Sequence, residues 1–168
     1  MSARDGRYRN PGAGGSGVAR APGAGGASPV AGLAHVAIAS RDADALVATL
    51  VVSLGATRGA EELLDGGALR VVFVHLGPVT LELLEPRTPE HTVAKFLDRR
   101  GEGLHHVSLE VKDLDAALTR CRESGVRLID ETPRDGAHGS RVAFLQPKSL
   151  GGVLVELCQA PKSDRSRA

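Results

Sequence analysis

A chain of 168 residues with 42% apolar residues is long enough to bury one proper core. Its net charge of +1 hides an uneven spread, +3 on residues 1–32 and +2 on the last nine, which leaves −4 on residues 33–159 and argues against a nucleic-acid surface. No apolar run approaches the ~18 residues needed to cross a bilayer and no signal-peptide core is present, so the expectation is a cytoplasmic protein without a membrane or nucleic-acid partner.

Residues 1–32 hold 19 Gly, Ala or Pro and one acidic residue, with no apolar period of 2 or 3.6. Such a stretch cannot bury enough surface to offset its ordering entropy, so a disordered tail is expected. Arg4, Arg7, Arg9 and Arg20 face only Asp5, as in a transit peptide, but the Gly and Pro content opposes an amphipathic helix. The Gly-Ala-Gly-Gly runs follow no strand and open no helix, so they are not phosphate loops. A folded domain is expected over residues 33–160, with residues 161–168 as a flexible tail.

Leu33 to Ala39 is short, apolar and bounded by polar residues, which reads as a strand. Asp42 then caps a helix over Ala43 to Leu54, with Ala45, Leu46, Thr49, Leu50 and Ser53 at helical spacings and Gly55 as its stop. Strands follow at Thr57 to Glu61, Leu69 to Leu76 and, past the Gly77-Pro78 turn, Val79 to Leu84. Thr92 to Arg100 reads as an amphipathic linker helix with Val93, Phe96 and Leu97 on one face. The order then recurs: a strand at Leu104 to Val111, a helix from Asp113 to Ser124 ending at Gly125, and strands near Val126 to Asp130, Arg141 to Gln146 and Gly152 to Cys158. Cys121 and Cys158 fall inside apolar patterns without motif spacing and read as reduced core thiols.

That recurrence extends to the residues themselves. His35-Val36-Ala37-Ile38 returns as His106-Val107-Ser108-Leu109, Asp42-Ala43-Asp44-Ala45 as Asp113-Leu114-Asp115-Ala116, and Arg70-Val71-Val72-Phe73-Val74 as Arg141-Val142-Ala143-Phe144-Leu145. All three share an offset of 71. The offset then slips by three, and Val79-Thr80-Leu81-Glu82-Leu83 matches Val153-Leu154-Val155-Glu156-Leu157. The expected fold is α+β: two paired βαβββ modules, about residues 33–90 and 103–160, forming curved mixed sheets with helices outside and a metal-binding cleft within.

Each module delivers one His near its start and one Glu near its end. Side chains alternate across a strand, so His105 and His106 are expected on opposite faces, and the repeat selects His106 as the partner of His35. Glu82 shares a face with Thr80, while Leu81 and Leu83 point to the helix side. One His or one Glu in an apolar strand is usually structural; the same pair at equivalent positions in both halves is not easily dismissed. Two buried carboxylates are costly unless a cation compensates them. His35, Glu82, His106 and Glu156 are therefore the expected ligands of one divalent ion at the junction of the modules.

The duplicated unit with its two His/Glu pairs resembles the vicinal oxygen chelate superfamily, and the flanking words are similar to the methylmalonyl-CoA epimerases within it. Those words are Leu81 to Pro86, Val93 to Leu97, Gly103 to Val107, Gly136 to Leu145, and Pro147-Lys148-Ser149 running into Gly151 to Leu157. The resemblance implies epimerisation of (2R)- and (2S)-methylmalonyl-CoA by proton transfer at C2 of an acyl-CoA substrate. It also implies metal ligation by the same four residues, Glu156 as one acid/base group, and cobalt as the ion, with manganese, zinc or nickel as alternatives. A homodimer is a further implication. Lys148, Ser149 and His138 are the expected substrate contacts. Val71 stands where some members carry a second acid/base glutamate, Gln146 stands where His before Pro-Lys is usual, and the first helix lacks the family's aromatic pair. The opposite acid/base group is thus unassigned, with Glu82 or a water as alternatives. A glyoxalase I-like lyase and a non-catalytic ligand-binding member are the competing functions. An extradiol dioxygenase fits less well, because it takes two His and one carboxylate with iron.

Overall fold

The computed structural model describes residues 28–161. The tail expected over residues 1–32 falls outside this range except for its last five residues, and the expected tail 161–168 falls outside it except for Pro161. The first strand, β1 (Val30–Ala39), begins three residues before the boundary read from composition, because Val30 and Gly32 pair with Val111 and Glu110.

The first half continues with α1 (Ala43–Leu54), β2 (Thr57–Leu64), β3 (Leu69–Leu76) and β4 (Val79–Pro86). After α2 (Thr92–Arg100), the second half runs β5 (Gly103–Val111), α3 (Leu114–Glu123), β6 (Arg134–Asp135), β7 (Arg141–Leu145) and β8 (Val155–Gln159). Asp42 and Asp113 cap α1 and α3 identically, each accepting the N–H three residues on at 2.9 Å. A second repeated feature ties helix to strand. Arg70 reaches Asp44 at 3.0 Å, and its equivalent Arg141 reaches Asp115 at 3.0 Å.

All eight strands lie in one sheet, ordered β2-β3-β4-β1-β5-β8-β7-β6. Within each half the first and last strands pair in parallel, β1 with β4 and β5 with β8, and the halves join through antiparallel β1–β5. The strand order therefore reads the same outward from the β1–β5 seam, as a pseudo-twofold requires. One face packs under α1 through Val47, Val72, Val74 and Leu83, and under α3 through Leu118, Ala143 and Leu157. The other face is concave. Its first half carries Ala37, Val71, Phe73 and Leu84, closed at one end by Val93 and Leu97 of α2. No helix among the described residues is long and apolar enough to cross a membrane.

Two local expectations are corrected. The strand expected at Val126 to Asp130 is reduced to a single bridge between Leu128 and Leu145. Both Ile129 and Asp130 donate to the Phe144 carbonyl, and the Asp130 carboxylate accepts the Phe144 N–H at 2.8 Å. A side chain thus takes the place of a ladder carbonyl, and Pro133, with no N–H, carries the chain on to the two-residue β6. The second correction concerns His105. The β1–β5 register slips between Ala37↔His106 and Ile38↔Leu104, leaving His105 as the extra residue of a bulge. The bulge brings its ring back beside His106, with the two Nδ1 atoms 2.9 Å apart, instead of onto the opposite face.

Leu118 is almost fully enclosed in the cluster under α3, on the sheet face opposite the concave one that carries the four candidate ligands. Leu118→Ala is expected to cost about 3 kcal/mol through lost transfer energy and a residual cavity. Urea unfolding should show this while divalent-ion content stays at the wild-type value. A loss below about 1 kcal/mol would contradict the packing described.

Candidate active site

The four residues selected by the repeat meet on the concave face, where the β1–β5 seam brings the halves together. His35 and His106 come from the two central strands, with Nε2 atoms 3.3 Å apart. Glu82 is carried by β4 and Glu156 by β8, the parallel neighbours of β1 and β5. His35 Nε2 lies 3.3 Å from Glu82 Oε2 and 3.4 Å from Glu156 Oε1, and His106 Nε2 lies 3.9 Å from Glu156 Oε2. All four residues are less than 9% exposed.

Their electrostatics follow from that enclosure. Burial pushes the Glu82 carboxyl up to about 8, with the Glu156 and Glu62 charges adding to the rise. Burial pushes Glu156 up to about 7, opposed by the hydrogen bond from Ser108. The same burial drives His35 down to about 4 and His106 down to about 2, the latter helped by His105 and His35. The contacts are therefore between neutral imidazoles and carboxyls that resist ionisation, not between fixed opposite charges. A divalent cation reverses both penalties, since it favours carboxylate over carboxyl and uses the lone pair of a neutral imidazole.

His35, His106 and Glu156 form a group able to hold such an ion, each offering one donor atom within 4.8 Å of the others. Glu82 touches His35 but stands outside that tightest set, as the most peripheral of the four.

Ser108 is a site residue that the sequence reading missed. It is fully buried and its hydroxyl donates to Glu156 Oε1 at 2.7 Å. The signal was present: Ser108 stands two residues beyond His106, hence on the same face, and pairs with Glu156 across β5–β8. Phe73 and Phe144 were also missed as site residues. They pair with Glu82 and Glu156 at equivalent positions in the two halves, and the Phe144 ring stands edge-on to His106 with centroids 5.0 Å apart.

The group opens into a cavity of about 390 Å³ lined on the first half's side by Leu69, Val71, Phe73 and Leu84. His105, Arg134 and His138 also line it, and Arg134 lies over the Phe144 ring at 5.1 Å. Of the three expected substrate contacts, only His138 reaches this cavity. Lys148 and Ser149 sit on a 3-10 turn, Pro147–Ser149, where the Ser149 hydroxyl accepts the Arg127 N–H at 3.1 Å. Neither belongs to the lining, so the structure does not bring them to the site. Cys158 does line the cavity, and both cysteines are free thiols.

Comparison with known proteins agrees with this architecture. Residues 32–144 match the profile of the glyoxalase/bleomycin resistance protein/dioxygenase superfamily. The chain is 40% identical to a mitochondrial methylmalonyl-CoA epimerase of Bos taurus over 140 residues, covering 83% of this chain and 80% of the relative. It is similar to the crystal structure of methylmalonyl-CoA epimerase from Mycobacterium tuberculosis, with a TM-score of 0.76 and 38% identity over 81% of this chain and 92% of that one. A variant of the Streptomyces coelicolor methylmalonyl-CoA epimerase, in complex with 2-nitronate-propionyl-CoA, matches with a TM-score of 0.74 and 33% identity over 79% and 96% of the two chains. With identities at this level over nearly the whole duplicated domain, the chain belongs to the methylmalonyl-CoA epimerase family of the glyoxalase/bleomycin resistance protein/dioxygenase superfamily.

Proposed function

We propose that this protein interconverts the (2R) and (2S) epimers of methylmalonyl-CoA by removing and returning the proton at C2, with a divalent ion held by His35, Glu82, His106 and Glu156. The observation that carries this reading is Glu156. It is a buried carboxylate in the lining of the cavity, beside two imidazoles, with one oxygen held by the Ser108 hydroxyl. The 2-nitronate-propionyl-CoA bound by the Streptomyces coelicolor relative supports an acyl-CoA as the ligand class.

The C2 proton lies between a thioester carbonyl and a carboxylate, and its removal leaves an enolate whose charge must be stabilised. A divalent ion at the four side chains supplies Lewis-acid stabilisation worth several kcal/mol to the oxygen where that charge gathers. The remaining work belongs to the protein. Ser108 fixes the orientation of Glu156, leaving its other oxygen to exchange a proton with C2. Leu69, Val71, Phe73 and Leu84 exclude water from the enolate. A cavity of about 390 Å³ suits the acyl end of the thioester, with the nucleotide portion outside. The resemblance favours cobalt; a nitrogen and oxygen donor set of this kind also accepts manganese, zinc or nickel.

Incubation with methylmalonyl-CoA in deuterium oxide tests the reading. Exchange of the C2 hydrogen and appearance of the other epimer are the expected results. Ion-loaded protein that leaves C2 unexchanged is not an epimerase of this substrate. Rapid turnover of the glutathione hemithioacetal of methylglyoxal would point to a glyoxalase I-like lyase.

A further inference from the structure

Inversion at C2 needs one group to take the proton and another, on the opposite face, to return one. Glu156 stands on the second half's side of the cavity, and the first half's wall is formed by Leu69, Val71, Phe73 and Leu84. The titratable side chains on that side are Asp65, His75, Glu82 and His91, and Glu82 is committed to the ion site, 3.3 Å from His35 Nε2. The His91 ring is committed on both nitrogens, Nδ1 accepting the Val93 N–H and Nε2 meeting Asp65 at 2.9 Å. His75 also lines the cavity, but its Nδ1 meets only the Thr80 hydroxyl at 3.4 Å and no carboxylate among the described residues orients its ring.

His138 is placed differently. It comes from the second half, on the 3-10 turn Ala137–Gly139, yet its ring lies on Phe73 of the first half with centroids 4.2 Å apart. Glu62 of β2 holds it twice, accepting the backbone N–H at 3.1 Å and pairing with the ring Nδ1. Nε2 makes no hydrogen bond among the described residues and belongs to a ring that lines the cavity. Glu62 is itself the cross-strand partner of Val71, so the carboxylate that grips His138 flanks the apolar wall.

The backbone is specialised to the same end. His138 has φ 54° and ψ 28°, a left-handed conformation that is unfavourable for a non-glycine residue and persists where the surroundings impose it. The turn is also seated tightly on β7: a Cβ on Gly136 would lie 2.6 Å from Ser140 Oγ and 2.7 Å from Val142 Cγ1.

We propose that His138, oriented by Glu62, is the second proton-transfer group and acts on the face of C2 opposite Glu156. The inference rests on the epimerase reading above. With Nδ1–H donated to Glu62, Nε2 is the working atom. In one direction Glu156 takes the C2 proton, breaking that C–H bond, and the Nε2–H of the imidazolium forms the new one on the other face. In the reverse direction the roles exchange. No electrons are gained or lost, and no co-reactant is consumed. Each turnover swaps the protonation states of the two residues, and the ring, 51% exposed, recovers its proton balance from solvent. Glu62 is a positioning residue: its carboxylate accepts the Nδ1–H, which fixes the tautomer and the orientation of the ring, as an acidic partner does for a catalytic imidazole.

The test compares wild type, His138→Asn and Glu62→Gln, each loaded with divalent ion, on the two separate epimers in deuterium oxide. Asparagine tolerates the left-handed backbone, so His138→Asn removes the imidazole with little strain. Epimer interconversion is expected to fall about 100-fold or more in His138→Asn. The epimer whose C2 hydrogen faces Glu156 should still exchange it with solvent, without inversion, while exchange of the other epimer is lost. Glu62→Gln should slow interconversion about tenfold with ion content unchanged. Interconversion within about threefold of wild type in His138→Asn, or equal loss of exchange from both epimers, overturns the assignment of His138. Wild type that does not epimerise overturns the functional reading instead, and is recognised before any variant is compared.

Discussion

His106→Ala is expected to abolish stable divalent-ion binding and to reduce epimerisation at least 1,000-fold, leaving a folded protein. His106 is one of the three residues whose donor atoms lie closest together, and it is the bridge between His35, 3.3 Å away, and the His105 ring. Alanine removes that donor and opens a cavity among buried groups, costing about 2–3 kcal/mol of fold stability. The remaining His35 and two carboxylates form a poorer site, because ligand number and geometry set affinity. An ion at 100 times its dissociation constant stabilises the folded state by about 2.7 kcal/mol. Wild type should therefore gain thermal stability on titration with cobalt, and His106→Ala should not. Metal analysis after dialysis, alongside these melting curves, decides the matter: equal ion content in the two proteins would remove His106 from the site.

The same site should bind its ion in a pH-dependent way. In the ion-free protein, burial holds the Glu82 carboxyl up at about 8 and that of Glu156 at about 7. Below those values each carries a proton that an incoming cation must displace. Affinity is thus expected to be full above about pH 8 and to fall as the pH drops through 8 to 7. His35 and His106, kept neutral by burial, add nothing in that window. Calorimetry in buffers of different ionisation enthalpy reads the released protons directly, and binding without proton release at neutral pH would contradict the raised carboxyls.

Glu156→Gln is the second large effect. It is expected to slow epimer interconversion by about 1,000-fold, because either direction of inversion needs Glu156 to take or give the proton, and to remove C2 exchange from the epimer whose hydrogen faces Glu156 while the other epimer keeps it. The amide is isosteric and still accepts the Ser108 hydroxyl, so the strand pairing of β8 with β5 and β7 should survive. The amide binds a cation more weakly than a carboxylate, so the comparison must be made at saturating ion. Under those conditions a variant that retains more than about a tenth of wild-type interconversion would show that Glu156 is a ligand only, with the proton carried elsewhere.

The sequence by itself determined the duplicated unit, the faces of its strands and the four side chains that converge. The reason is physical: strand alternation is a strictly local rule, so one offset of 71, slipping to 74, carries His35 onto His106 and Glu82 onto Glu156 without any knowledge of packing. The helix caps were equally legible, because Asp42 and Asp113 act within three residues of themselves. What spanned distant segments was not. The bulge that turns the His105 ring toward His106 arises from the β1–β5 register, which no local pattern encodes. The shrinking of the 126–130 strand depends on the Asp130 carboxylate capturing the Phe144 N–H from another segment. Lys148 and Ser149 adjoin the Glu156 strand in sequence, yet their turn packs against Arg127 and away from the cavity. His138, 76 residues from Glu62, enters the site only because the pseudo-twofold lays a loop of one half over the strands of the other. Proximity along the chain decided the elements, and closure of the β1–β5 seam decided which side chains share the cavity.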